Sequence, residues 1–264
     1  MTVRVLGPLE AEVVATRPEG AFQHVSLTVP DPGGQAAPRP GQFVVLPPEP
    51  GGGRVLPRTW WLAGARGGPG HPSTVEVVLP PADLVPGDRI RVTGPLGRGF
   101  TLPTQPVPVV VVGHEAAQAP ARWLAALLAA RGAPVHLVLS ARDADHHLDL
   151  GAARRTAVGV QLARPDGVQD TVLTEATRHG AGVVYAAGPL TVVGAAAAAA
   201  RRAGVVSQLT AFDAGDAVAC GVGLCGACAV HLAGPDGQPV AVRPCAVGPV
   251  VRGDLLLPEP ADAP

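Results

Sequence analysis

Val109-Val-Val-Val-Gly-His-Glu-Ala-Ala-Gln-Ala-Pro120 is where the hydrophobic pattern of the chain changes period. Four consecutive valines predict a strand buried on both faces, as in a parallel sheet covered by helices. Residues 118–131 then read as a helix. Trp123, Leu124, Leu127 and Leu128 recur on one face, and Gly132 supplies the stop. The same alternation continues downstream. Strands are predicted at 135–139, 158–162, 183–186 and 205–209, and helices at 171–179 and 190–203. Strands alternating with helices make a parallel α/β sheet.

Upstream, the reading is all-β. Short β-rich runs at 13–15, 22–29, 42–46, 59–63 and 74–79 are separated by Pro/Gly clusters at 30–34, 38–41, 47–53 and 67–70. Such spacing predicts a small antiparallel barrel. Leu84-Val-Pro-Gly-Asp-Arg-Ile90 reads as a turn feeding a strand, which runs into the glycine-rich corner Gly94-Pro-Leu-Gly-Arg-Gly-Phe100.

Beyond residue 211 the chemistry changes. Cys220-Gly-Val-Gly-Leu-Cys225-Gly-Ala-Cys228 and Cys245 carry all four cysteines of the 264 residues. The spacing is C-x4-C-x2-C, then sixteen residues, then the fourth cysteine. This is the plant-type spacing for a 2Fe–2S cluster, and the small residues between the ligands allow the close backbone approach such a loop needs. Zinc would use Cys225 and Cys228 as one knuckle, but a second C-x2-C or H-x3-H knuckle does not follow. Two disulfides would need a secretory signal, which the chain start does not resemble. The expected architecture is α+β multidomain. An antiparallel β-barrel (1–103) precedes a nucleotide-binding-like α/β domain with a parallel sheet (104–211) and a 2Fe–2S cysteine-bearing region (212–264).

A formal net charge of −1 lacks the basic excess of nucleic-acid and membrane-surface proteins. Residues 181–200 are free of charge, yet Gly188-Pro189 interrupts them and alanine dominates. A strand, turn and helix explain them better than a membrane span. The expected setting is soluble, reducing and cytoplasmic.

Barrel, α/β domain and cysteine-rich tail follow the order of the ferredoxin–NADP reductase-like electron-transfer subunits of dihydroorotate dehydrogenase. Val218-Ala-Cys-Gly-Val-Gly-Leu-Cys-Gly-Ala-Cys228 resembles that family's cluster loop, and Arg243-Pro-Cys-Ala-Val-Gly-Pro-Val250 its fourth-ligand segment. Gly94-Pro-Leu-Gly-Arg-Gly-Phe100 and Tyr185-Ala-Ala-Gly-Pro-Leu190 also fit its pattern. The resemblance implies a barrel that binds FAD and an α/β domain that receives NADH. It implies Cys220, Cys225, Cys228 and Cys245 as ligands of a 2Fe–2S cluster. It also implies a separate FMN-containing catalytic subunit as partner, in pyrimidine biosynthesis. No catalytic acid, base or nucleophile is called for, because the cofactors carry the chemistry.

Three stretches depart from the family pattern. The flavin motif, an arginine followed three positions later by a serine, reads Arg58-Thr59-Trp60-Trp61. Arg58 is suited to a flavin pyrophosphate. Trp61 stands in the serine's place, either to stack on the flavin ring or to fill its space. One indole of this pair need not be buried, because strand neighbours face opposite ways. Val78-Leu-Pro-Pro-Ala-Asp83 replaces a glycine-rich phosphate segment with Pro80 and Pro81, which have no N–H to offer, and with an acidic Asp83. Gly113-His114-Glu115 puts a carboxylate at the helix start, where it competes with a bound anion. These departures motivate a second expectation: a cluster-bearing relay or docking module that has lost FAD and NADH. His146 and His147 sit in a polar connection, and adjacent residues do not face the same way, so they are read as loop residues and not as a metal site.

Overall fold

The computed structural model describes residues 8–30, 37–48, 56–67, 73–212 and 220–257. Most of the Pro/Gly clusters at 30–34, 47–53 and 67–70, and positions 218–219 of the cysteine loop, lie outside them.

Six strands form the barrel: β1 (Leu9–Glu19), β2 (Phe22–Val29), β3 (Phe43–Leu46), β4 (Arg58–Arg66), β5 (Ser73–Leu79) and β6 (Arg89–Leu96). They are ordered β1-β2-β5-β4-β3-β6, and β6 returns antiparallel onto β1 to close the ring. Period-two alternation decides the inside. Val25, Leu27 and Val29 of β2 point in, beside Ala11, Val13, Val44, Trp60, Leu62, Val75, Val77 and Val92. β1 extends well beyond the expected 13–15, because its polar outward residues, such as Glu10 and Glu12, mask the alternation.

The second layer is a six-stranded sheet. It contains β7 (Val109–His114), β8 (Val135–Ser140), β9 (Gly159–Ala163), β10 (Val183–Ala187) and β11 (Val206–Thr210), all parallel. Two further strands, β12 (Val230–Ala233) and β13 (Pro239–Val242), form a hairpin. The short β14 (Val250–Arg252) then adds to β11 antiparallel, giving the order β14-β11-β10-β7-β8-β9. Helices α1 (Gln118–Ala130) and α2 (Leu150–Thr156) cover one face, and α3 (Val168–His179) and α4 (Leu190–Arg202) the other. This is a doubly wound sheet, and its order reverses between β7 and β10. The four-residue α5 (Pro244–Val247) carries the last cysteine.

Gly113, next to last in β7, lies where α1 crosses closely: a Cβ there would sit 2.7 Å from the Gln118 Cα. On α1, Leu124 and Leu128 are buried as expected, but Leu127 is on the solvent side and Trp123 leans onto the barrel. The two layers are joined by polar contacts as well. Arg122 of α1 donates to Glu19 Oε1 of β1 at 2.7 Å, and Glu19 Oε1 also accepts from the Asp149 N–H at 3.0 Å. The Tyr185 hydroxyl donates to the Thr101 carbonyl at 3.0 Å, and burial pushes its pKa up to about 12. No helix among the described residues is long and apolar enough to cross a membrane.

Candidate functional site

The cysteine loop is laid against the barrel. Gly221 has φ +66°, and a Cβ on it would meet Val45 Cγ2 at 2.5 Å and Phe43 at 3.1 Å. Only glycine allows both that backbone and that approach. The fourth cysteine is delivered by α5, which the barrel corner holds in place. The Arg98 N–H donates to the Gly248 carbonyl, and Arg98 bridges Pro249. Cys228 and Cys245 are buried in the same apolar cluster as Phe43, Val45, Trp61, Phe212, Val109 and Tyr185, and Cys220 packs on its margin. Cys225 is exposed.

All four thiols are free. Cys228 Sγ and Cys245 Sγ lie 3.1 Å apart, a contact and not a disulfide bond of about 2.05 Å. The loop's amides turn inward. Gly223 N–H donates to Cys245 Sγ at 3.1 Å, and Leu224 and Cys225 N–H donate to Cys220 Sγ at 3.2 and 3.4 Å. Burial opposes ionisation of Cys220, but these backbone donors outweigh it and bring its pKa down to about 6. Cys245 behaves oppositely. Burial, then the neighbouring Cys228, pushes it up to about 12, so a bound metal must displace its proton. Arg243 donates to the Gly223 carbonyl at 2.8 Å and braces the loop.

Two kinds of metal centre use such thiols. One tetrahedral zinc, with Zn–S near 2.3 Å, gathers its sulfurs within about 4 Å of one another. Among the described residues, one group places three His, Cys, Asp or Glu ligand atoms within 4.8 Å of one another, and it contains no cysteine. The soft, N–H-bonded set of thiol donors fits a two-iron cluster.

On the barrel side, both indoles of the expected flavin motif are buried, Trp60 at 7% exposure and Trp61 at 3%. They occupy opposite faces, Trp60 inside the barrel and Trp61 between barrel and sheet. Trp61 stacks on Phe212, with centroids 4.9 Å apart and planes at 19°, and meets Phe43 edge-on. Two polar atoms of this strand, Thr59 Oγ1 and Trp61 Nε1, are buried without a hydrogen-bond partner among the described residues. An unpaired buried donor costs about 1–3 kcal/mol, so a face carrying two of them suits the polar edge of a ligand.

The third region is the crevice where the sheet order reverses. Glu115 follows β7 at φ +45°, in a 3-10 turn ahead of α1. Its carboxylate receives Arg142 Nε at 2.7 Å and Nη2 at 2.6 Å. Burial works against the Glu115 carboxylate, yet the Arg142 hydrogen bonds hold it below the ordinary range. His114 Nδ1 contacts Ser140 Oγ at 3.2 Å, and burial lowers the pKa of His114. Glu115 is thus half of an ion pair between the turns that follow β7 and β8, which the helix-start reading of the sequence did not include. His146 and His147 diverge as expected. The first meets Asp143 Oδ1 at 2.6 Å, and the second receives Gln118 Nε2 at 3.1 Å.

Sequence reasoning did not find Phe43, Phe212 or Arg142 as parts of the site. Phe43 and Phe212 come from segments far apart in the chain, and Arg142 lies in a loop without a motif.

A barrel, a doubly wound sheet and a thiol-bearing loop set between them define an iron–sulfur electron-transfer protein of ferredoxin-reductase-like architecture. Residues 216–257 match the iron–sulfur cluster binding domain of dihydroorotate dehydrogenase B. The electron transfer subunit of dihydroorotate dehydrogenase B (NAD(+)) from Desulforamulus reducens is 33% identical over 172 residues, covering 62% of this chain and 64% of that protein. The subunit of the same name from Listeria monocytogenes is 31% identical over 65% of this chain and 67% of its own length. That from Geobacillus kaustophilus is 31% identical over 67% and 68%. The chain belongs to this family of electron transfer subunits, and it aligns with about two thirds of the length of these relatives. A structure of an NADH-dependent reduced ferredoxin-NADP oxidoreductase superposes with a TM-score of 0.73, covering 97% of this chain and 91% of that one at 22% identity. A ferredoxin reductase of carbazole 1,9a-dioxygenase gives 0.58 at 22% identity over 78% and 64%. These two likenesses bear on the fold.

Proposed function

We propose that this chain is the electron-transfer subunit of a dihydroorotate dehydrogenase B-type oxidoreductase, working in the cytoplasm beside an FMN-containing catalytic subunit. The observation that carries the reading is the shared apolar cluster. It holds two of the four cysteines, with a third at its margin, together with the Trp61 face of β4. Residues 1–103 form the flavin unit, 104–211 the nucleotide unit and 212–264 the cluster unit. Cys220, Cys225, Cys228 and Cys245 hold the 2Fe–2S cluster. Arg58 binds the FAD phosphates, and Thr59 and Trp61 offer a hydroxyl and an indole N–H to the ring edge, with Trp60 as the barrel wall behind them. NADH enters at the crevice between β7 and β10. When bound, flavin and cluster together convert a two-electron donor into single electrons for a partner. The chain's own residues exclude water from that junction, fix its spacing and lend N–H bonds to the sulfurs. The subunit's own catalytic activity is then NADH oxidation with an artificial acceptor.

The test is an absorption spectrum of anaerobically purified protein, with iron, sulfide and released flavin quantified on the same sample. Two irons, two sulfides and one FAD per chain are expected. Replacing Cys228 or Cys245 by Ser should lose most of the iron, and full iron retention would refute that ligand assignment. Cluster bands without flavin, even after added FAD, would support the relay module and mean that Trp61 and Phe212 fill the flavin's space.

A further inference from the structure

The sheet face turned away from the cysteines carries a second set of metal-ligand side chains. Leu137 of β8 packs into the cluster that contains Cys228 and Cys245. Its neighbours must therefore point to the other face, where α3 lies. Val138 does so among apolar residues. On the other side of Leu137 stands His136, only 5% exposed. Opposite it, α3 presents Glu175 and His179, four residues apart and hence on one helix face. One ligand atom from each of His136, Glu175 and His179 lies within 4.8 Å of the other two.

Ordinary packing does not explain this group. Glu175 is 4% exposed, yet its nearest basic atoms are His179 Nε2 at 3.4 Å and Arg178 Nη1 at 3.7 Å. The imidazoles of His136 and His179 lie face to face, 3.6 Å apart and 13° from parallel. His136 Nδ1 is buried without a hydrogen-bond partner among the described residues. Gly159 of β9 borders that nitrogen, and a Cβ there would come within 3.3 Å of it. A buried carboxylate and an unpaired buried imidazole nitrogen are each costly alone. A shared cation satisfies both.

We propose that His136, Glu175 and His179 form a binding site for a divalent transition-metal ion of the zinc type. Two imidazoles and one carboxylate are a common three-ligand protein set for zinc, and they leave a fourth position for water or an external ligand. The ion joins β8 to the C-terminal end of α3, on the opposite face of the sheet from the thiols. Binding turns the two imidazoles out of their parallel stack, so that a nitrogen of each faces the ion. The partial exposure of His179, whose side chain is 31% accessible, gives the ion a path in. The site does not depend on the electron-transfer reading.

The experiment uses the full chain with its iron–sulfur centre intact and zinc chloride as the probe. Protein is equilibrated with Zn2+ and dialysed, and zinc, iron and the visible absorption are measured together. About one zinc per chain with unchanged iron is expected. In the His179→Ala variant, affinity should fall by about tenfold or more. His179 lies at the open end of the group, so this variant is expected to fold, and its iron content reports that directly. Glu175→Gln keeps the shape of the side chain and serves as the second variant. In wild type, added zinc should also raise Tm and shift the two histidine ring resonances, and neither effect should appear in His179→Ala. Zinc binding of equal strength in wild type and both variants, or zinc gained only as iron is lost, would place the ion on the thiols and overturn the proposal. Failure of wild type to retain zinc would overturn it as well.

Discussion

Glu115 is the residue on which the proposed nucleotide crevice turns. Its carboxylate takes both nitrogens of the Arg142 fork, so the guanidinium at this sheet crevice is engaged by an acid from the chain itself. A carboxylate there also opposes the phosphates of an incoming dinucleotide. Glu115→Gln should free Arg142 and remove the repulsion, lowering the KM for NADH severalfold with kcat little changed. Steady-state dye reduction measures both constants, and an unchanged KM would take the Glu115–Arg142 pair out of the nucleotide's path. At this scale the sequence was uneven as a guide. Cysteine spacing is local and chemically specific, so the proposed set of four ligands could be read from the sequence. The partners of Trp61 were not, because Phe43 and Phe212 are brought to it only by closure of the barrel against the sheet. His136, Glu175 and His179 were missed for the same reason: two come from a helix and the third from a strand about forty residues earlier.

Between elements, one contact exposed to pH is the one from β1 to α1. Burial pushes the Glu19 carboxyl up, but hydrogen bonds from Arg122 and from the Asp149 N–H outweigh it, and its pKa lies below the ordinary 4.5. A depressed folded-state value stabilises the protein at pH above the unfolded value. That stabilisation drains away as pH falls from about 4.5 through the folded value. Glu19→Gln should therefore lower Tm at neutral pH, and the gap from wild type should narrow toward pH 3. A gap that stays constant over this range would show that the carboxylate charge is not what joins the two elements. Arg122→Ala is expected to be harsher, costing about 3 kcal/mol, because it leaves a carboxylate buried without its main partner. Denaturant titration gives that figure directly. Elements with strong periodicity or continuous apolar runs, such as α1 and β7, were readable from the sequence. α2 has seven residues with one buried, and β13 is mostly exposed, so neither carries an amphipathic signal.

Across the whole molecule, the cysteine region is fastened to both layers. Gly221 rests on β3, Arg98 holds the Gly248–Pro249 corner, and β14 pairs with β11 along three residues. The sequence separated this region as a tail because its composition changes there, yet β14 completes the edge of the parallel sheet. A hydrogen-bonded edge strand of three residues leaves no periodic trace, so the connection emerges only in three dimensions. It has an energetic consequence. Cys228 and Cys245 share an apolar cluster with Val109, Val111 and Tyr185, so metal held by the cysteines is coupled to the core that barrel and sheet have in common. Metal binding to a folded site adds its free energy to folding. Removing iron anaerobically with a chelator should lower Tm, by about 2–4 °C for each ~1 kcal/mol that the metal adds to folding in chains approaching this size. Calorimetry should show the main transition moving as a whole. A main transition that stays in place while a small separate one disappears would mean that the cysteine region unfolds on its own, and that its contacts with Val45 and β11 carry little of the molecule's stability.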